Sequence, residues 1–398
     1  MCNRAIDYWW PFGRVELNHL GSVFCALLFC SALSISANAA VPACAAYSKS
    51  GQLAQVMLSS GQIVVQLFSA GSNTASRLYV SPVLAVTSCN SFFSQDEALL
   101  AIGLNNDRNP KQHVQIVVVD VRDRKLLQTI PMVLRLAVDS RGQLHGFIAN
   151  THKVLVMNSG AFFKDESATT VFPVTVDLIE GTVTTAAMAA AGSSVSETNS
   201  IIDPAENLIW LRDRGNICSL RPFEIDSAED SHVTDMSTKI LRFGCSLADL
   251  LIATPSKSML QFSRDGDQTL VRRIDWETEK FTELRFGGGS KEGVYLPHGE
   301  WAVSPDGSVI AVEALHIVSG KLGALSTNRE LVIISVNSLA VLSIMPLNYG
   351  AHAIAIYYSD EEIKLSFLNG SNWETLWGRI GPSPISWSKC CESALADR

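Results

Sequence analysis

The residues predict an all-β protein, a β-propeller of seven blades, each blade a four-stranded antiparallel sheet. Three observations lead there. A small or acidic turn followed by a short apolar run recurs along the chain, hairpin patterns follow several of these runs, and no long segment shows capped helical periodicity.

The cleanest copy of the turn is Ser304-Pro305-Asp306-Gly307, which leads into Val309–Val312. Pro suits the second position of a type I turn, Asp caps backbone amides, and Gly accepts a positive φ. Related copies centre on Ser50, Asp96, Asp139, Asp203, Asp265 and Asp360, at irregular intervals close to one blade plus loop insertions. The runs after them are short and rich in β-branched residues, so they read as buried strands. Hairpins read as Val114–Asp120 with Lys125–Pro131, Leu270–Ile274 with Phe281–Leu284, and Leu331–Val336 with Leu339–Ile344. Each blade is therefore expected to hold an inner pair of strands led by the turn and an outer pair closed by a polar turn. The Ala-rich Thr184–Gly192 reads as a loop or a short helix.

The chain opens with an export signal. No charge occurs from Leu20 to Ser48, Val23–Ile35 is apolar, and Ala37-Asn38-Ala39 is an A-x-A site with cleavage expected after Ala39. This assigns residues 1–39 to a signal peptide and residues 40–398 to a single propeller domain, extracytoplasmic and either periplasmic or secreted. Two rivals keep the same compartment. The uncharged stretch is long enough for an uncleaved anchor, and Val41-Pro42-Ala43-Cys44 loosely matches a lipobox. Residues 40–398 exceed what one compact core usually holds, and a repeat architecture accommodates that length.

The net charge of −8 and the absence of any dense Lys/Arg run exclude a general nucleic-acid binder and a surface for anionic lipid. Contact with a membrane is expected only through an uncleaved N-terminal anchor.

Six cysteines follow the signal: Cys44, Cys89, Cys218, Cys245, Cys390 and Cys391. An even number in an exported chain suggests disulfides, with buried free thiols as the plain alternative. Cys218 with Cys245 is one expected pair. A clasp between Cys44 and Cys390 or Cys391 is the other, since joining the chain ends would hold the last blade to the first. The remaining cysteine of the vicinal pair would then meet Cys89 or stay free, and a vicinal Cys390–Cys391 ring is the rival.

No catalytic, cofactor-binding or metal-binding residue is assigned, and no cofactor is expected. The histidines, among them His298, His316 and His352, are scattered without H-E-x-x-H, and neither C-x-x-C nor G-x-S-x-G occurs. Gly287–Gly293 lacks the spacing of a phosphate loop and reads as a connection between blades. The turn aspartates read as caps rather than calcium ligands. Trp210, Trp276, Trp301, Trp373, Trp377 and Trp387 fit either a ligand-binding mouth or packing between blades.

The Ser304–Gly307 turn with Val309–Val312, and Ile116–Thr129 with its "V-V-V-D … K-L-L-Q-T" run, resemble the YVTN/WD40-like β-propellers of bacteria. The resemblance implies a fold and an interaction surface, not a reaction. The expected function is a non-catalytic binding scaffold for an extracytoplasmic protein, peptide or glycan. The alternative is a propeller enzyme, a lactonase-like hydrolase or a cofactor-dependent dehydrogenase, with its site at the central channel.

Overall fold

The computed structural model describes residues 42–390, apart from 73, 83–85, 106–113, 133–140, 149, 162–168, 186–194, 204–206, 214–218, 226–232, 236–240, 243–248, 255–257, 320–324, 348–350, 370–371 and 382–384. The chain divides into Met1–Ala40, which lies outside these residues, and Val41–Arg398.

The described residues are almost entirely strand and form seven antiparallel sheets, each drawn from one contiguous stretch and ordered along the chain. The first holds β1 (Ala43–Tyr47), β2 (Leu53–Ser59), β3 (Gln62–Phe68) and β4 (Ala75–Val80). The second holds β5 (Ser88–Phe93), β6 (Leu99–Asn105), β7 (Val114–Asp120) and β8 (Lys125–Met132). The third holds β9 (Arg141–Phe147), β10 (Lys153–Ala161), β11 (Thr169–Asp177) and β12 (Val183–Thr185). The fourth holds β13 (Val195–Asp203), β14 (Leu208–Asp213), β15 (Ser219–Ile225) and β16 (Val233–Asp235), with β17 (Leu241–Arg242) also on β15. The fifth holds β18 (Leu250–Thr254), β19 (Ser258–Asp265), β20 (Gln268–Asp275) and β21 (Phe281–Phe286). After the four-residue helix α1 (Gly289–Glu292) comes the sixth, with β22 (Val294–Val303), β23 (Val309–Ser319), β24 (Leu325–Ser335) and β25 (Ala340–Leu347). The seventh holds β26 (Ala351–Ser359), β27 (Glu362–Asn369), β28 (Asn372–Arg379) and β29 (Ser388–Cys390).

The turn chemistry read from the sequence recurs atom for atom in two sheets. Ser94 Oγ accepts the Leu99 N–H at 2.9 Å and donates to Asp96 Oδ1 at 2.6 Å. Ser304 Oγ does the same with the Val309 N–H at 3.0 Å and with Asp306 Oδ1 at 2.5 Å. Each Asp also accepts a backbone N–H two residues on, at 3.2 Å. The turn lies between the first and second strands, so Ser50, Asp96, Asp203, Asp306 and Asp360 mark that junction as expected. The three expected hairpins correspond to β7–β8, β20–β21 and β24–β25.

Two copies are out of place. Gly142, the expected turn glycine after Asp139, pairs with Asn158 inside β9, and the real turn of that sheet is Ile148–His152. Asp139 itself lies outside the described residues. Asp265 ends β19 and so belongs to the link between second and third strands. Measured from the first residue of each second strand (Leu53, Leu99, Lys153, Leu208, Ser258, Val309 and Glu362) the repeat is regular, 46 to 55 residues. The irregular intervals in the sequence came from these two phase errors, not from insertions.

Buried strands read as unbroken apolar runs because both faces are covered. On β6, Leu100, Ile102 and Leu104 join a core with the first sheet, while Leu99 and Ala101 join one with the third. On β23, Ile310, Val312 and Ala314 pack toward the fifth sheet, and Val309 and Ala311 toward the seventh. Each such Leu, Ile or Val, nearly inaccessible here, contributes about 1.5–3 kcal/mol of burial. The last and first sheets meet in the same way. Tyr47, Leu53 and Phe68 pack on Ala355 and Tyr357, Met57 packs on Trp373, and Gln55 Nε2 donates to Ser366 Oγ at 2.9 Å.

The expected clasp between Cys44 and Cys390 or Cys391 is not formed. Cys44 is bonded instead to Cys89, with Cα atoms 5.6 Å apart and 45 residues between them in sequence. The reason is strand order. Cys44 is on the first strand of its sheet and Cys390 on the fourth strand of the last, paired through Thr375 at the opposite edge. β1 and β29 do not share a sheet, so strand pairing does not bring Cys390 to Cys44. Its neighbour is β5, the next first strand, which presents Cys89. Cys218, Cys245 and Cys391, and with them the Cys218–Cys245 pair and the vicinal ring, lie outside the described residues.

Candidate functional site

The first strands of the sixth and seventh sheets both carry β-bulges. Register shifts occur between Pro297 and Trp301 on β22 and between His352 and Ala355 on β26. A bulge takes residues out of the ladder and re-aims their groups, and bulges gather beside functional sites. Ala353 sits there at φ 56°, a left-handed conformation uncommon for a side chain other than Gly.

The amides released at the second bulge find a partner across the junction. Glu300 Oε2 accepts the N–H groups of Ala353 and Ile354, the latter at 3.4 Å. Its other oxygen, Oε1, lies 3.8 Å from His352 Nδ1. The side chains of Glu300 and His352 remain 45% and 41% accessible, so the pair can be reached from solvent. Burial among the surrounding strands is the largest influence on Glu300 and raises its carboxyl above the ordinary value. The Ala353 amide and the His352 charge pull it back, and the Glu313 charge raises it further. Glu313, only 1% exposed on β23, is held by Arg329 Nη1 at 2.9 Å.

A carboxyl whose pKa burial raises, beside an imidazole, can hold a hydrogen-bonding ligand or pass a proton to one. Neither residue stood out in the sequence, because 52 positions separate them. That distance is about one repeat, but the two residues hold different places in it: His352 precedes its bulge, and Glu300 lies within the other. Among the described residues no group of three or more His, Cys, Asp or Glu is gathered as a metal site.

Four of the tryptophans pack between sheets. Trp210 and Trp276 meet edge to face at 4.9 Å between the fourth and fifth sheets. Trp373 packs between the seventh and first, and Trp387 between the sixth and seventh, donating to Ser343 Oγ at 3.0 Å. Trp301 and Trp377 are exposed, and Trp301 follows Glu300 directly. Gly287–Gly293 does connect two sheets. A Cβ on Gly293 would lie 2.4 Å from the Ile317 carbonyl oxygen, and its φ of 65° also favours Gly.

No helix among the described residues is long and apolar enough to cross a membrane. No family model and no curated protein matches the chain. Solved structures do. The oligogalacturonate lyase of Vibrio parahaemolyticus superposes with a TM-score of 0.54 at 10% identity, over 87% of this chain and 93% of that one. An oligogalacturonate lyase in complex with manganese gives 0.52 at 9% identity, over 85% and 88%. At such identities the likeness carries the fold alone: this chain is all-β, with propeller-like neighbours.

Proposed function

We propose that residues 40–398 form a seven-bladed β-propeller of the YVTN/WD40-like kind, exported from the cytoplasm, that binds a protein, peptide or glycan where its sixth and seventh blades meet. The seven sheets, their regular repeat and the packing of the last sheet on the first support the blade count and the closed ring. The Cys44–Cys89 disulfide supports an oxidising compartment. The observation that carries the binding site is Glu300, a carboxyl anchored by amides that a bulge set free and facing a half-exposed His352.

Glycan and peptide arrays probed with exported protein test this reading. A ligand retained by the wild type and lost in both Glu300→Ala and His352→Ala, with unchanged melting temperatures, supports it. A ligand retained equally by both variants places the site elsewhere. The N-terminus of exported material is expected at Ala40. An intact Met1 supports an anchor, and a lipidated Cys44 supports a lipoprotein.

The raised carboxyl of Glu300 and the lyase neighbours favour one second reading, a propeller enzyme using Glu300 and His352 for proton transfer. Incubation with oligogalacturonate separates the two. New ultraviolet absorption from an unsaturated product, lost in His352→Ala, selects the enzyme, and its absence leaves binding alone.

A further inference from the structure

The first and second sheets enclose a cleft of about 510 Å³, within the range of small-molecule sites, on the edge that carries their turns. Four turns wall it: Ser50 and Gln52 after β1, Ser69 and Ala70 after β3, Asp96 and Glu97 after β5, and Val121, Arg122 and Arg124 after β7.

Its charges are not paired with one another. Glu97 is committed to the neighbouring turn, accepting the Ser50 N–H at 2.7 Å, Ser48 Oγ at 3.1 Å, Gln52 Nε2 at 3.4 Å and the Ser50 hydroxyl. Asp96 is committed to its own turn through Ser94 and Ala98, and to His152 at 3.5 Å. The Arg124 guanidinium donates to the hydroxyls of Ser69 and Ser76, which hold it in place without neutralising it. Neither Arg122 nor Arg124 forms an ion pair with a carboxylate among the described residues. Arg124 and Glu97 both hold left-handed backbone conformations, φ 52° and 57°. Asn150, Asn207, Glu279 and Leu339 hold the same conformation at the matching turns of other sheets, so this is ordinary turn geometry.

We infer that this cleft binds a sugar acid, a small polyhydroxylated carboxylate. Two guanidiniums present donors in the planar geometry that suits a carboxylate. Ser69 keeps its hydroxyl hydrogen and Gln52 its amide oxygen for a ligand, groups that match sugar hydroxyls.

Calorimetric titration of the exported protein with glucuronate, glucose and inorganic sulfate tests the assignment. Glucuronate is expected to bind and glucose to give no heat. Arg124→Gln and, separately, the exposed Arg122→Gln are expected to weaken glucuronate binding about tenfold, the loss of one charge-assisted pair. Arg122 lies on the surface of its turn, so its variant reports on binding even where Arg124→Gln perturbs the fold. Equal binding of glucose and glucuronate, or unchanged affinity in Arg122→Gln, overturns the proposal. So does sulfate binding as tightly as glucuronate, which marks a bare anion site.

Discussion

Removing the Cys44–Cys89 bond by the double substitution Cys44→Ala/Cys89→Ala is expected to lower stability by a calculable amount. The bond joins residues 45 apart in sequence. The loop-closure entropy it removes from the unfolded chain corresponds to about 4 kcal/mol at room temperature. Unfolding entropy is about 2.1 cal/mol/K per residue, so over residues 41–398 this equals a shift of about 5 °C in melting temperature. Cys44 is only 5% exposed among Val56, Ile63 and Leu104, so each Ala also leaves a small void that adds to the loss. The assay is a thermal melt followed by circular dichroism, with and without reductant. The wild type should fall by about 5 °C on reduction, while the double variant should be low in both buffers and indifferent to reductant. Coincident wild-type melts would refute the reasoning. So would non-reducing peptide maps that link Cys44 to the peptide containing Cys390 and Cys391.

Three further outcomes follow from individual residues. Glu300 has a raised carboxyl in the folded state, so the fold binds its proton more tightly than the unfolded chain does. Its contribution is therefore fully present at low pH and lost as pH rises from the ordinary carboxyl value through the raised one. Glu300→Gln should remove that loss, and identical pH–stability curves for the two proteins would contradict it. Asp306→Ala deletes acceptors for Ser304, Ser308 and a backbone amide, and should cost about 1 kcal/mol in urea denaturation. Asp360→Ala, whose carboxylate among the described residues meets only Ser359, at 3.4 Å, should be nearly neutral, and equal costs would contradict the capping role of Asp306. Gln66 is 1% exposed, and neither polar atom of its side chain has a partner among the described residues. Gln66→Leu should raise stability by about 1–3 kcal/mol, and a lower melting temperature would contradict this.

What the sequence disclosed was whatever one repeat encodes locally. Ser-x-Asp turns satisfy their own amides within five residues, so Asp96 and Asp306 were legible without knowledge of the fold. Hairpins such as β7–β8 were legible because one polar turn separates two apolar runs. The phase of the weaker copies was not. Gly142 and Gly266 look alike in sequence, yet the first lies within β9 and the second turns β19 into β20. Only the cross-strand register distinguishes them. The partner of Cys44 was equally hidden. Spacing pointed to the chain ends, whereas the edge-to-edge arrangement of first strands brings Cys89 closest. Glu300 and His352 belong to the same class, since their meeting depends on two bulges, and a bulge leaves no mark beyond an unremarkable Gly299 or Ala353.

The ligand proposed for Glu300 and His352 sits where the sixth and seventh sheets meet. Hydrogen–deuterium exchange, with and without the ligand captured through Glu300 and His352, tests it most directly. Slowed exchange is expected in residues 297–301 and 351–354, where bulged backbone flanks Glu300 and His352 and exchange should be fastest in the free protein. Protection confined to other sheets, with these two segments unchanged, would contradict it.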